Sequence, residues 1–340
     1  MKNIQTTTLL VLLITILIVS CKNEPKSDAS QFGKTGNRSI DSLTELIFRN
    51  PKDASLYYNR AKLFEENGEK GGYDFAIKDM EYALTLDSNN IDYHHFLGDI
   101  YMDYSQSRLA VQTMERAAAI APTRLPTLLK LTEFYLITKQ YGQALQTITT
   151  ILKQDPQNSD AYFLTGMVFK EQNDEPRAIS AFQKAVDLNA ENKDAFFELG
   201  QLFTKRKNPL ALKYFDNVLL QDSLDVNALM GKAFYLQSNG QAKEAIEIYR
   251  KIIMNDQHYE AAIFNLGLLY FDQNDLEKAR FHFDLCIKES PTYYKAYYYR
   301  GLIAEKKGDK VEALKDFEQA LEFKSDYDKA LEGVARLGKK

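Results

Sequence analysis

The sequence has no tryptophan, four histidines and two cysteines, and each shortage narrows the chemistry open to it. The histidines are His94, His95, His258 and His282. Adjacent residues on a helix point in different directions, so His94 and His95 do not make the i,i+4 pair of a helical zinc site. No Gly-x-Ser-x-Gly elbow and no glycine-rich phosphate loop occurs. The acidic pair Glu65-Glu66 falls at a helix end and reads as solvated. No catalytic residue, metal or cofactor is expected. With 43 basic against 47 acidic residues, the net charge is −4. A mildly acidic surface suits a phosphate backbone poorly, so nucleic acid is not an expected partner. The apolar run Leu9–Val19 is too short for a comfortable membrane span.

What is present is a period. From Ala279, steps of 33 or 34 residues reach Ala245, Ala211, Ala178, Ala144, Ala110 and Ala76 in one direction and Ala313 in the other. Four residues after each alanine stand Met80, Met114, Ile148, Phe182, Phe215, Tyr249, Phe283 and Phe317. Seven after it stand Ala83, Ala117, Ile151, Ala185, Val218, Ile252, Cys286 and Ala320. About twelve before it stand Gly98, Thr132, Gly166, Gly200, Ala233, Gly267 and Gly301, with Ala61 in the first copy. Positions four and seven apart share one helix face. Each copy therefore reads as two short helices with small residues at their crossing and a large side chain beside it. Helices of about three turns are marginal alone, so the copies must stack.

Small, small, aromatic, small, with Pro122, Pro156 and Pro291 closing three copies, resembles the tetratricopeptide repeat family over roughly 39–338. The resemblance implies an all-α, right-handed superhelical solenoid of about eight helix–turn–helix repeats. The expected organisation is a half-repeat at 39–53, eight repeats over 54–327 and a capping helix at 328–340. Leu43, Leu46 and Ile47 are the expected inward face of the half-repeat. Leu331 and Val334 are that of the last helix.

Ahead of the repeats, Lys2 precedes the apolar run, and Ile18-Val19-Ser20-Cys21 follows. This resembles a bacterial lipobox. It implies a lipoprotein signal peptide at 1–20 and lipid on Cys21, with 21–38 as a polar tether. Lipid on Cys21 would leave Cys286, at a small buried position, without a disulfide partner. The expected location is the bacterial cell envelope, lipid-anchored to the outer membrane and facing the periplasm.

In the family, the first helix of each repeat lines the concave face with residues three before and one after the small position. The first column here is Tyr58, His95, Leu129, Phe163, Phe197, Met230, Phe264 and Tyr298. The second is Lys62, Asp99, Glu133, Met167, Gln201, Phe234, Leu268 and Leu302. Both columns turn apolar from the sixth repeat. The Lys/Asn pairs with which chaperone-binding members clamp a terminal carboxylate are missing. Met230, Phe234, Phe264, Leu268, Phe271, Tyr298 and Leu302 are therefore the candidate partner-binding groove. Packing against neighbouring helices or a second copy are the competing uses of the same residues. The expected function is a non-catalytic scaffold for a protein or peptide segment of envelope assembly, secretion or motility machinery. A small-ligand or glycan carrier in an envelope uptake system is the alternative.

Overall fold

The computed structural model describes residues 35–66 and 71–338. The expected signal peptide, Cys21 and most of the tether lie outside the described residues. Among the described residues the secondary structure is all α-helix, with no strand. There are eighteen helices: α1 (Arg38–Arg49), α2 (Ala54–Glu66), α3 (Gly72–Leu86), α4 (Ile91–Asp103), α5 (Ser107–Ile120), α6 (Leu125–Ile137), α7 (Tyr141–Gln154), α8 (Ser159–Glu171), α9 (Glu175–Leu188), α10 (Lys193–Lys205), α11 (Leu210–Gln221), α12 (Val226–Ser238), α13 (Ala242–Asn255), α14 (Glu260–Asp272), α15 (Leu276–Glu289), α16 (Tyr294–Lys306), α17 (Lys310–Phe323) and α18 (Asp328–Leu337). None is long and apolar enough to cross a membrane. The chain divides into two compact units. One runs to Thr127 and holds α1–α5; the other runs from Leu128 to the end of α18.

Helices pack chiefly on their sequence neighbours, as α2 on α3 and α14 on α15. The register alanines explain how. Ala76, Ala110, Ala144, Ala178, Ala211, Ala245, Ala279 and Ala313 are all fully buried. The larger side chains four residues on are buried with them. Where a glycine stands at the crossing, the aromatic lies directly on its backbone. A Cβ added at Gly166 would meet the Phe182 ring at 2.5 Å, and one at Gly267 would meet Phe283 at 2.7 Å. Cys286 is fully buried in the same stripe, and burial pushes its thiol up to about 12. It is a packing residue without thiolate chemistry.

The ends of the pattern differ from the sequence reading. In α1 the buried stripe is Ile40 and Ile47, while Leu46 is 41% exposed. In α18 it is Ala330 and Gly333, with Val334 half-buried and Leu331 46% exposed. Each of these helices packs mainly on one neighbour, α2 or α17. One neighbour covers one stripe, and a leucine one position off it stays in solvent.

Caps and turns fix the boundaries. Asn90, Asn158, Asn192 and Asp225 each accept a backbone N–H in the first turn of the helix they precede. Two of the closing prolines, and Pro51 after α1, have a partner six residues on: the hydroxyls of Tyr57, Tyr162 and Tyr297 donate to the carbonyls of Pro51, Pro156 and Pro291. The turn after the first helix of a repeat uses a left-handed residue, Ser105, Lys139, Asn173, Lys207, Gly240, Asn274 or Gly308. Gly308 has φ 85° and Lys139 φ 59°. Gly308→Ala should therefore cost roughly 1 kcal/mol, and Lys139→Gly should be neutral or stabilising. Thermal melts of the two variants check this; a stabilised Gly308→Ala together with a destabilised Lys139→Gly would refute the turn assignment.

Candidate partner-binding cleft

A largely apolar cleft lies between α10 and α12. These two helices are the first members of successive repeats, and they touch directly. Phe197, Gln201 and Lys205 recur every fourth residue along α10. Asn227, Met230 or Gly231, Phe234 and Ser238 recur at three or four along α12. Each set therefore forms one stripe. The two stripes face a cleft of about 670 Å3, joined by Thr204, Lys207, Asn265 of α14 and the ring of Phe215 beneath.

Two sequence features make room for it. α11 lacks a residue in its first turn and begins at Leu210, one position before its register alanine, with Lys207 left-handed in the preceding turn and Pro209 at the N-cap. Gly231 lets α12 lie against Phe215, since a Cβ there would sit 2.5 Å from the ring. Gly200 approaches the same ring, at 2.6 Å by the same measure. Phe215 is thus held between two glycines and is fully buried.

The predicted groove residues separate into two groups. Met230 and Phe234 line this cleft, and Phe234 is 54% exposed. The other five do not. Phe264 is 5% exposed, with its ring 5.7 Å from Phe283, 5.0 Å from Tyr293 and 5.7 Å from Tyr299. Leu268 and Phe271 are half-buried on that same cluster. Phe271 meets Tyr299 edge-on at 5.5 Å and carries the Lys306 ammonium 4.4 Å above its ring. Tyr298 packs on Tyr299, Phe317 and Tyr327, and Leu302 packs on the Phe317 cluster. Sequence reasoning missed Gly231, Lys205, Lys207, Asn227, Ser238 and Asn265. A glycine two positions before the small residue, next to a one-residue deletion, was the available signal.

The cleft has a polar rim. Lys205 and Lys207 line it, and no carboxylate does. The Lys205 ammonium is hydrogen-bonded to Glu175, and that bond holds the Glu175 carboxyl below its usual range. Hydroxyl and amide groups of Thr204, Ser238, Asn227, Asn265 and Gln201 offer hydrogen bonds beside the apolar floor. Nothing here is arranged for bond-making. The histidines stand elsewhere, each in its own setting. His94 Nε2 contacts the Ser88 carbonyl and His95 Nε2 the Thr127 hydroxyl, both at 3.0 Å. Exposed His258 pairs with Glu289. His282 stacks on Tyr270, and burial lowers its pKa to about 4. Among the described residues no three His, Cys, Asp or Glu side chains converge on a metal position.

Family models described as tetratricopeptide repeat match residues 139–193, 166–209, 260–293 and 294–327. The human protein O-mannosyl-transferase TMTC3 is 23% identical over 80% of this chain, which spans only 32% of that protein's length. For the Drosophila melanogaster Tmtc3 that share is 14%. Among solved structures, the C-terminal part of a TPR repeat-containing protein from Cytophaga hutchinsonii has a TM-score of 0.57 at 16% identity, covering 72% of this chain and 99% of that one. PilW, described as a widely conserved type IV pilus biogenesis factor, has a TM-score of 0.53 at 19% identity, covering 62% of this chain and 98% of that one. These likenesses establish the fold, all-α and built of tetratricopeptide repeats.

Proposed function

We propose that this array of tetratricopeptide repeats is a non-catalytic scaffold that seats a segment of a protein partner between α10 and α12. The observation that carries the reading is the open apolar cleft between α10 and α12, with Phe234 left 54% exposed on its wall. An isolated exposed aromatic needs no explanation. One that shares a cleft with Phe197 and Met230 and a rim of hydrogen-bonding groups is the usual composition of a contact site. The cleft extends along two helices, which suits an extended or helical segment.

A photo-crosslinking amino acid at position 234, in intact cells, should capture a discrete protein partner. The same group at position 62, on α2, should not capture it. Equal capture at both positions, or none at 234, would remove the cleft from the reading.

The second part of the proposal is the anchor. Cys21 follows Ile18-Val19-Ser20, and lipid there would hold the scaffold on an envelope membrane facing the periplasm, near assembly, secretion or motility machinery. Stable anchoring takes more than one acyl chain, which a lipoprotein cysteine carries. Metabolic labelling with a clickable fatty acid should mark the wild type and not Cys21→Ser. Equal labelling of the two sinks the anchor and leaves the cleft untouched.

A further inference from the structure

We infer that the chain associates with copies of itself head to tail, α18 of one copy pairing with α1 of a second as the two helices of a composite repeat. The inference is independent of the cleft and goes beyond the scaffold reading.

α1 is the second helix of a repeat. Pro51 stands twelve residues after Ser39, as Pro156 and Pro291 stand twelve after Ala144 and Ala279. The hydroxyl bond from Tyr57 to Pro51 repeats those from Tyr162 to Pro156 and from Tyr297 to Pro291. Ser39 therefore holds the register position, with Leu43 four residues and Leu46 seven residues after it. α1 packs on α2, the first helix of the next repeat, and Ile40 and Ile47 are buried. The stripe that a first helix covers within a complete repeat is open. Ser39 and Leu46 are exposed, and Leu43 is half-buried. Residues 22–34, just ahead of α1, offer no apolar residue besides Pro25, Ala29 and Phe32, too few to cover that stripe.

α18 is the first helix of a repeat. Ala330 follows Ala296 and Ala262 at the period of 34, and all three are fully buried. The same step leads from Gly301 to Ala335, the crossing position at which a second helix docks. The crossing residues of the complete repeats, from Ala61 to Gly301, are buried, while Ala335 is exposed. Leu331 and half-buried Val334 lie beside it on the same face. Each end thus presents the helix type that the other end leaves unpaired.

The sizes fit as well. A glycine crossing goes with phenylalanine, as Gly267 with Phe283, where a Cβ would meet the ring at 2.7 Å. Alanine or threonine at the crossing goes with other side chains, Ala61 with Met80 and Thr132 with Ile148. Ala335 opposite Leu43 is of this second kind. The composite contact continues the interface by which each complete repeat is held within the chain. It joins unlike surfaces, so a copy that uses its α18 still presents its α1.

Paired cysteines test the register. A Cβ added at Gly301 would stand 3.2 Å from the Ala313 carbonyl oxygen, and Ala335 and Ser39 are the equivalent positions. Full chains carrying both Ser39→Cys and Ala335→Cys, oxidised in intact cells, should form dimers and higher multiples on non-reducing gels. Cys286 is fully buried, and the wild-type chain gives the background from Cys21. Neither single variant should form multimers, and the two expressed together should form dimers only. Both cysteines replace exposed residues, so the fold should be kept. Adding Leu46→Glu or Leu331→Glu, also at exposed positions, should cut the yield at least about tenfold with the helical circular dichroism unchanged. No multimers from the double variant, dimers from either single variant alone, or a yield indifferent to both glutamates overturns the inference. None of these results alters what capture at position 234 says of the cleft.

Discussion

Arg60→Met should destabilise the unit containing α1–α5 by about 3–5 kcal/mol, because it leaves a buried carboxylate without its counter-charge. Arg60 is 1% exposed, and its Nε and Nη2 both bond Asp79 at 2.7 Å. Its Nη1 reaches the Thr44 hydroxyl of α1 at 3.0 Å, so one guanidinium ties three helices. Asp79 is 3% exposed. Burial already raises its pKa above the usual carboxylate value, with Arg60 opposing the shift. The sign then follows. A carboxyl that holds its proton more tightly when folded penalises the fold as pH rises through the folded pKa, and not below the unfolded one. Without Arg60 the shift widens, so the loss should be largest at neutral pH and shrink under acid. Urea unfolding at the two conditions measures it. Arg60→Met with Asp79→Leu should recover most of the stability. A pH-independent loss, or no rescue by the second change, would show that packing rather than charge holds the pair.

Phe215→Ala should cost about 3–5 kcal/mol, the range for emptying a buried aromatic site. The ring fills the gap between the backbones at Gly200 and Gly231, neither of which has a side chain to move into the space. Because stacked repeats are stabilised by their neighbours, the loss should appear first as faster amide exchange in α10–α12. Phe281→Ala, at a 63% exposed position, should change stability by less than about 0.5 kcal/mol. Equal melting of the two variants would contradict the packing described here.

The repeat was legible because it is written in burial. Ala279, Phe283 and Cys286 recur as a stripe, and residues at helical spacing on a shared face must be covered together. The same logic failed at the ends. Leu46 and Leu331 look inward by composition, but only one adjoining helix selects the covered stripe there. It failed differently in the groove. Phe264 stands in the column of Met230, yet the rings of Tyr293 and Tyr299 close over it. Column position tells where a side chain starts and not what lies on top of it. The buried pair was hidden for a related reason. Arg60 and Asp79 lie nineteen residues apart, and each looks like an ordinary surface charge until their helices are brought together. Arg300 and Asp316 repeat that arrangement in α16 and α17, with bonds of 2.7 and 2.8 Å.

Contacts made mainly between sequential helices also set how each unit answers a pull on its ends. Among the described residues no strand clamp or disulfide spreads the load, so tension reaches one helix pair at a time. A freed 34-residue copy such as 260–293 can extend to roughly 110–120 Å. Each release lengthens the tether in a step of that order, less the folded length, and spares the pairs still docked. A scaffold made this way can give slack without surrendering the whole of its grip.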